Sequence, residues 1–151
     1  MKASTVTTGF CTIDLHSAAP VRVLHTNNVR LYSIVEPEGT TLDARANEGG
    51  KMFNMILLGS AIVAGNTYEI SATFGKVFVK CMFEGAPSLQ DLDDGWVTVK
   101  EINLDPSAMK LVLDFEFPAR YQGGVFNFKG SSSFSGVIPN LTEEIEDECR
   151  S

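Results

Sequence analysis

The sequence predicts an all-β fold, a single-domain antiparallel β-sandwich with little helix, and three observations predict it. The first is alternation. In Lys110-Leu111-Val112-Leu113-Asp114-Phe115-Glu116-Phe117 the odd positions are all apolar and three of the four even ones are charged, the period-two pattern of a half-buried strand. The second is turn chemistry at short spacing, in Gly65-Asn66-Thr67, Asp105-Pro106-Ser107-Ala108 and Gly123-Gly124. The third is the near absence of segments with helical period. A closed β-barrel is the alternative architecture.

Taken in order, Thr5-Val6-Thr7-Thr8-Gly9-Phe10-Cys11-Thr12-Ile13-Asp14-Leu15 is rich in β-branched residues and places Cys11, Ile13 and Leu15 on one face of a first strand. Val21-Arg22-Val23-Leu24-His25 and residues 29 to 35 read as a hairpin turning at Thr26-Asn27-Asn28, because Asn suits the positive backbone angles of tight turns. Glu36-Pro37-Glu38-Gly39 ends that pair. Residues 40 to 50 are the least β-like part and read as a loop or a short helical turn closed by Gly49. Residues 51 to 64 are the most hydrophobic segment. They fall short of the roughly 20 apolar residues of a membrane span and read instead as a central strand and its turn, buried on both faces. Tyr68, Ile70, Ala72 and Phe74 alternate with polar neighbours, and Val77, Val79, Cys81 and Phe83 resume the alternation on the opposite parity. That predicts either a tight hairpin or one long strand with a bulge at Gly75. Ser88-Leu89-Gln90-Asp91-Leu92-Asp93-Asp94-Gly95 is an acidic connection to a meander of three strands over residues 96 to 136, the last carrying Phe126 and Phe128 on one face. The sandwich is expected over residues 1–138, and residues 139–151 as an acidic, flexible tail with Glu143, Glu144, Glu146, Asp147 and Glu148.

The order Gly65-Asn66-Thr67-Tyr68, Gly95-Trp96-Val97-Thr98-Val99, residues 111 to 117 and Gly124-Val125-Phe126-Asn127-Phe128 is similar to the layout of small bacterial β-sandwich domains. This is a likeness of pattern that implies a fold and no site.

A chain of 151 residues suffices for one domain with a full core. Its net charge of −7 and the lack of a Lys/Arg cluster argue against nucleic acid and against an anionic membrane surface. No signal peptide opens the chain and no segment is long enough to span a membrane, so a soluble protein is expected, either cytoplasmic or secreted with its leader removed. Cys11, Cys81 and Cys149 are too widely spaced for a metal knuckle; buried free thiols are the preferred reading, with a Cys11–Cys81 bridge the alternative.

Candidate sites are few. Gly130-Ser131-Ser132-Ser133-Phe134-Ser135-Gly136 lacks a nucleophile elbow, since Phe134 stands where the nucleophile would be. His16 and His25 are the only imidazoles and are not spaced as zinc ligands. Asp114 and Glu116 share one strand face, where carboxylate chemistry would require a cleft. Asp91, Asp93 and Asp94 form the candidate metal site, for calcium, because a hard cation takes several carboxylate oxygens from one loop. Trp96 and Tyr121, with Tyr32, are the candidate ligand-binding aromatics, flat rings with a polar edge that suit a sugar or apolar ligand. Asn140-Leu141-Thr142 has the form of a glycosylation acceptor. The function expected is therefore a non-enzymatic binding or protein-interaction domain. The alternatives are a small-molecule or carbohydrate binder, calcium-assisted or not, and more remotely a carboxylate-dependent hydrolase. An exposed edge strand could pair two copies as a homo-oligomer.

Overall fold

The computed structural model describes residues 7–16, 21–70, 76–83, 90–91, 94–121 and 124–137. The strands are β1 (Thr8–Leu15), β2 (Val21–Thr26), β3 (Val29–Glu36), β4 (Gly39–Glu48), β5 (Lys51–Leu57), β6 (Thr67–Glu69), β7 (Val77–Met82), β8 (Gln90–Asp91), β9 (Trp96–Asn103), β10 (Lys110–Tyr121) and β11 (Gly124–Ser135). They form two open antiparallel sheets, β2-β1-β11-β10-β9-β6 and β3-β4-β5-β7-β8, packed as a sandwich rather than closed into a barrel. A single turn of 3-10 helix at Gly59–Ala61 interrupts the strands.

The core lies between the two inner faces. Leu111, Leu113, Phe115 and Phe117 point into it from β10, as alternation predicts, and all four are fully buried. Phe115, Phe117 and Phe128 of the six-stranded sheet meet Phe53 and Phe83 of the other. Phe53 stacks on Phe115 at 4.9 Å between ring centroids, and Phe83 lies 5.0 Å from Phe128. Such offset contacts add about 0.5–1.5 kcal/mol per pair to the burial itself. Gly130 makes room for this stack: a Cβ there would come within 2.6 Å of both the Phe115 ring and the Thr12 carbonyl oxygen. Cys11 and Cys81 are free and buried, and burial pushes both thiols up to about 12. Ser132 also faces the core, where its Oγ has no hydrogen-bond partner.

The meander over β9, β10 and β11 follows the sequence expectation, but five other readings are corrected or refined. β2 and β3 do not form a hairpin: β2 pairs with β1 in one sheet and β3 with β4 in the other, so Thr26-Asn27-Asn28 is a corner between sheets. It is held there by the Thr26 hydroxyl, which donates to the Asn47 carbonyl and accepts from the Asn28 N–H. Residues 40 to 50 are mostly strand. Leu42, Ala44 and Ala46 face inward with no exposure, so burial between β3 and β5 overrides the weak strand propensity of alanine. Gly49, at φ +61°, supplies the β4–β5 turn, and Glu36-Pro37-Glu38-Gly39 is the β3–β4 turn. β5 is buried on one face only, through Phe53, Met55 and Leu57, while Met52, Asn54 and Ile56 are half-buried on the other. β6 and β7 are neither a hairpin nor one strand, because β6 pairs with β9 and β7 with β5 in the opposite sheet. Finally, Phe126 shares a strand face with buried Phe128, but the β10–β11 arm runs past its neighbours there and leaves Phe126 exposed.

Residues 1–6, the tail from 139 with its Asn140-Leu141-Thr142 triplet, and Cys149 lie outside the described residues. Among the described residues no helix is long and apolar enough to cross a membrane.

Candidate functional site: the outer face of the six-stranded sheet

Because the odd residues of β10 fill the core, its even residues face outward, and strand register extends that outward set across the whole sheet. One row reads Arg22, Asp14, Lys129, Glu116, Trp96, Glu69, with each residue directly opposite the next on the adjoining strand. Charge alternates along it until Trp96, which stands between two glutamates. The neighbouring row reads His25, Thr12, Ser131, Asp114, Thr98, Thr67. At an interstrand spacing of ~4.8 Å, each row is about 24 Å long.

Hydrogen bonds fix many of these side chains. The Ser131 hydroxyl donates to Asp114 Oδ1 at 2.7 Å, Lys100 Nζ sits 3.1 Å from Asp114 Oδ2, and the Thr67 and Thr98 hydroxyls meet at 2.8 Å. Lys100 reaches Asp114 because β9 bulges there, the register shifting between Val112 and Leu113. Burial alone would raise the Asp114 pKa. The Ser131 hydroxyl and the Lys100 and Lys129 charges outweigh it and hold the carboxyl below its ordinary value. At the other end, His25 Nε2 lies 2.7 Å from Asp14 Oδ1. The His25 backbone N–H donates to Glu48 Oε1 and Arg22 Nη2 to Glu48 Oε2, which ties β2 to β4 of the opposite sheet. The His25 N–H is the main reason the Glu48 carboxyl also lies below its ordinary value. Between the rows a shallow recess of ≈ 260 Å³ is lined by Thr12, Asp14, His16, Lys129 and Ser131.

The residues singled out from sequence are dispersed. Trp96 is half-buried on this face, opposite Glu116 and Glu69. Tyr121 ends β10, five residues along the strand from Glu116 and so about 17 Å from the Trp96 position. Tyr32 belongs to the other sheet, where it is buried, so the three aromatics form no common platform. Asp91 pairs through its backbone with Lys80 in the five-stranded sheet. Asp94 precedes β9 of the other sheet and accepts the Gly95 N–H at 2.9 Å. Asp93 lies outside the described residues. Among the described residues no group of three or more His, Cys, Asp or Glu side chains is arranged to hold a metal ion.

Asp114 and Glu116 stand on one strand face at a repeat of ~6.8 Å, a separation that would admit a water between them. Asp114, held below its ordinary value, does not carry the raised pKa that a general acid needs. What the arrangement offers is a flat array of oriented donors and acceptors with an aromatic ring at one end. Arg22 and Asp14 escape sequence reading because they join the row only through the pairing of the first strand with the last, and Glu69 because it joins only through the pairing of β6 with β9. Compared with protein-family models, characterised proteins and solved structures, the chain matches none of them, so the site's geometry carries the functional argument.

Proposed function

We propose that this chain is a non-enzymatic binding domain that recognises its ligand with the outer face of the six-stranded sheet. The observation that carries this reading is the pair of unbroken cross-strand rows, in which hydroxyls, carboxylates and cations alternate over six strands. Strands fix such side chains more tightly than loops do, which lowers the entropy lost on binding. The ligand class favoured by Trp96 is carbohydrate. Its ring can stack on the apolar face of a sugar while Glu116, Glu69, Thr98 and Thr67 accept or donate to hydroxyls.

The test is amide chemical-shift mapping of the ¹⁵N-labelled protein against a panel of neutral and acidic oligosaccharides. Shifts confined to β9, β10 and β11 around Trp96, Asp114 and Glu116, and lost in Trp96→Ala with an unchanged spectrum elsewhere, support the reading. Binding that maps to the five-stranded sheet or to the loops overturns it.

A further inference from the structure

Among the described side chains, almost every charge is already matched. The carboxylates are paired with Arg, Lys or His, accept N–H groups of their own turns or, in Glu36 and Glu38, bond each other. Glu69 and Glu116 are the exceptions, since neither meets a hydrogen-bond donor or a cation among the described residues. The cations behave alike: each holds a carboxylate, a carbonyl, a ring or another partner, and among the described side chains Lys129 is the exception. All three unmatched charges fall in one row of the six-stranded sheet, which reads Lys129, Glu116, Trp96, Glu69 across β11, β10, β9 and β6.

The only tryptophan therefore stands between two uncommitted carboxylates, with Trp96 and Glu116 half-buried and Glu69 exposed. The acids are two strand spacings, ~10 Å, apart and Trp96 occupies the strand between them, so they form no acidic cluster and no group for a metal ion. An indole face attracts a cation more strongly than the other aromatic rings do, and a carboxylate on either side adds charge-assisted hydrogen bonds. A hydroxyl uses only part of that chemistry, whereas an ammonium brings three donors and the opposite charge. One outward position further along the same two strands, the Thr67 and Thr98 hydroxyls meet at 2.8 Å and offer neutral partners that a bare amine would leave unused. Lys129 lies beyond Glu116, on the side away from Trp96, and its charge repels a second cation there. A positive group is thereby confined to the Trp96 position.

We infer that the ligand of this face is an amino sugar, a saccharide with a free, protonated amine. Its ring stacks on Trp96, its ammonium is held between Glu116 and Glu69, and its hydroxyls meet Thr67 and Thr98. The inference rests on the reading of this face as a carbohydrate-binding surface and adds the charge of the sugar to it.

The test uses the full chain and two probes of equal length, a linear glucosamine tetramer and its fully N-acetylated counterpart. Both are titrated against Trp96 emission and against the amide signals of the ¹⁵N-labelled protein. The expected result is that the free-amine tetramer shifts β6, β9 and β10 and binds about tenfold more tightly than the acetylated one. That advantage should vanish in the Glu69→Gln/Glu116→Gln double variant while affinity for the acetylated tetramer is retained, and it should shrink in about 1 M salt, where the screening length falls to ~3 Å. Equal binding of the two tetramers at this face overturns the inference and leaves the carbohydrate reading standing. Tetramers that leave the face unmoved overturn the inference, and the carbohydrate reading with it only where the neutral and acidic oligosaccharides leave it unmoved too. An advantage that survives the double variant overturns the inference because the charge is then read elsewhere. Displacement of the free-amine tetramer by an equal concentration of butylammonium also overturns it, because the face would then read charge without the sugar.

Discussion

The two outer faces of this sandwich use their polar side chains in opposite ways. On the six-stranded sheet, Asp114 is bonded within its own face to Ser131 and Lys100, remains partly exposed, and sits in rows that stay open to solvent. On the five-stranded sheet, Asp43 is buried under Arg45 and Asn54, and Tyr32 is buried beneath Arg45. An outward carboxylate is therefore not one kind of object. Where it is sheltered and shared by two partners it braces the sheet, and where it is solvated within a regular array it is available to a ligand.

The largest effect removes what the faces share. Phe115→Ala should cost about 3–5 kcal/mol, because Phe115 stacks on Phe53 across the sandwich, and both faces should lose order together in urea denaturation. A response confined to one sheet would show that the faces are more independent than a single core implies. The next separates them. Asp43→Ala should cost about 2 kcal/mol by removing a buried carboxylate that accepts from both Arg45 and Asn54, whereas Asp114→Ala should cost less than about 1 kcal/mol. Equal urea midpoints for the two variants would erase the distinction drawn between the faces.

Acid should sharpen the same comparison. Asp114 and Glu48 both have folded pKa values below their unfolded ones, so the stability they contribute is present above about pH 4 and is lost as pH falls through the lowered folded values. Glu48 ties the two sheets together through His25 and Arg22, so Glu48→Gln should flatten the acid limb of stability against pH and loosen β2 from β4 in hydrogen exchange. The smallest effect has the opposite sign: Ser132→Ala removes a buried hydroxyl that has no partner and should leave stability unchanged or raise it by up to about 1 kcal/mol.

The meander was legible in the sequence because its strands pair with their chain neighbours, so parity in β10 alone assigns the inward Leu111, Leu113, Phe115 and Phe117 and the outward Asp114 and Glu116. The crossings between sheets were not. A turn such as Thr26-Asn27-Asn28 has the same local chemistry whether the chain doubles back within a sheet or steps to the other one; only the long-range partners of β2 and β3 decide. β4 was hidden by Ala44, Arg45 and Ala46, residues that favour strands only once neighbours bury them. The candidate face was legible in its middle, at Trp96, Asp114 and Glu116. One end depends on β1 meeting β11, more than a hundred residues away, and the other on β6 meeting β9, and no local pattern encodes either register.

Trp96 is the only tryptophan in the chain, so its emission reports on the proposed recognition face without labelling. The most direct measurement is acrylamide quenching of that emission across the oligosaccharide panel. The account predicts a sugar that shields Trp96 from quencher saturably, with the shielding lost in Glu116→Ala while the urea midpoint is retained. A sugar that binds by calorimetry yet leaves Trp96 as quenchable as before would place recognition elsewhere on the molecule.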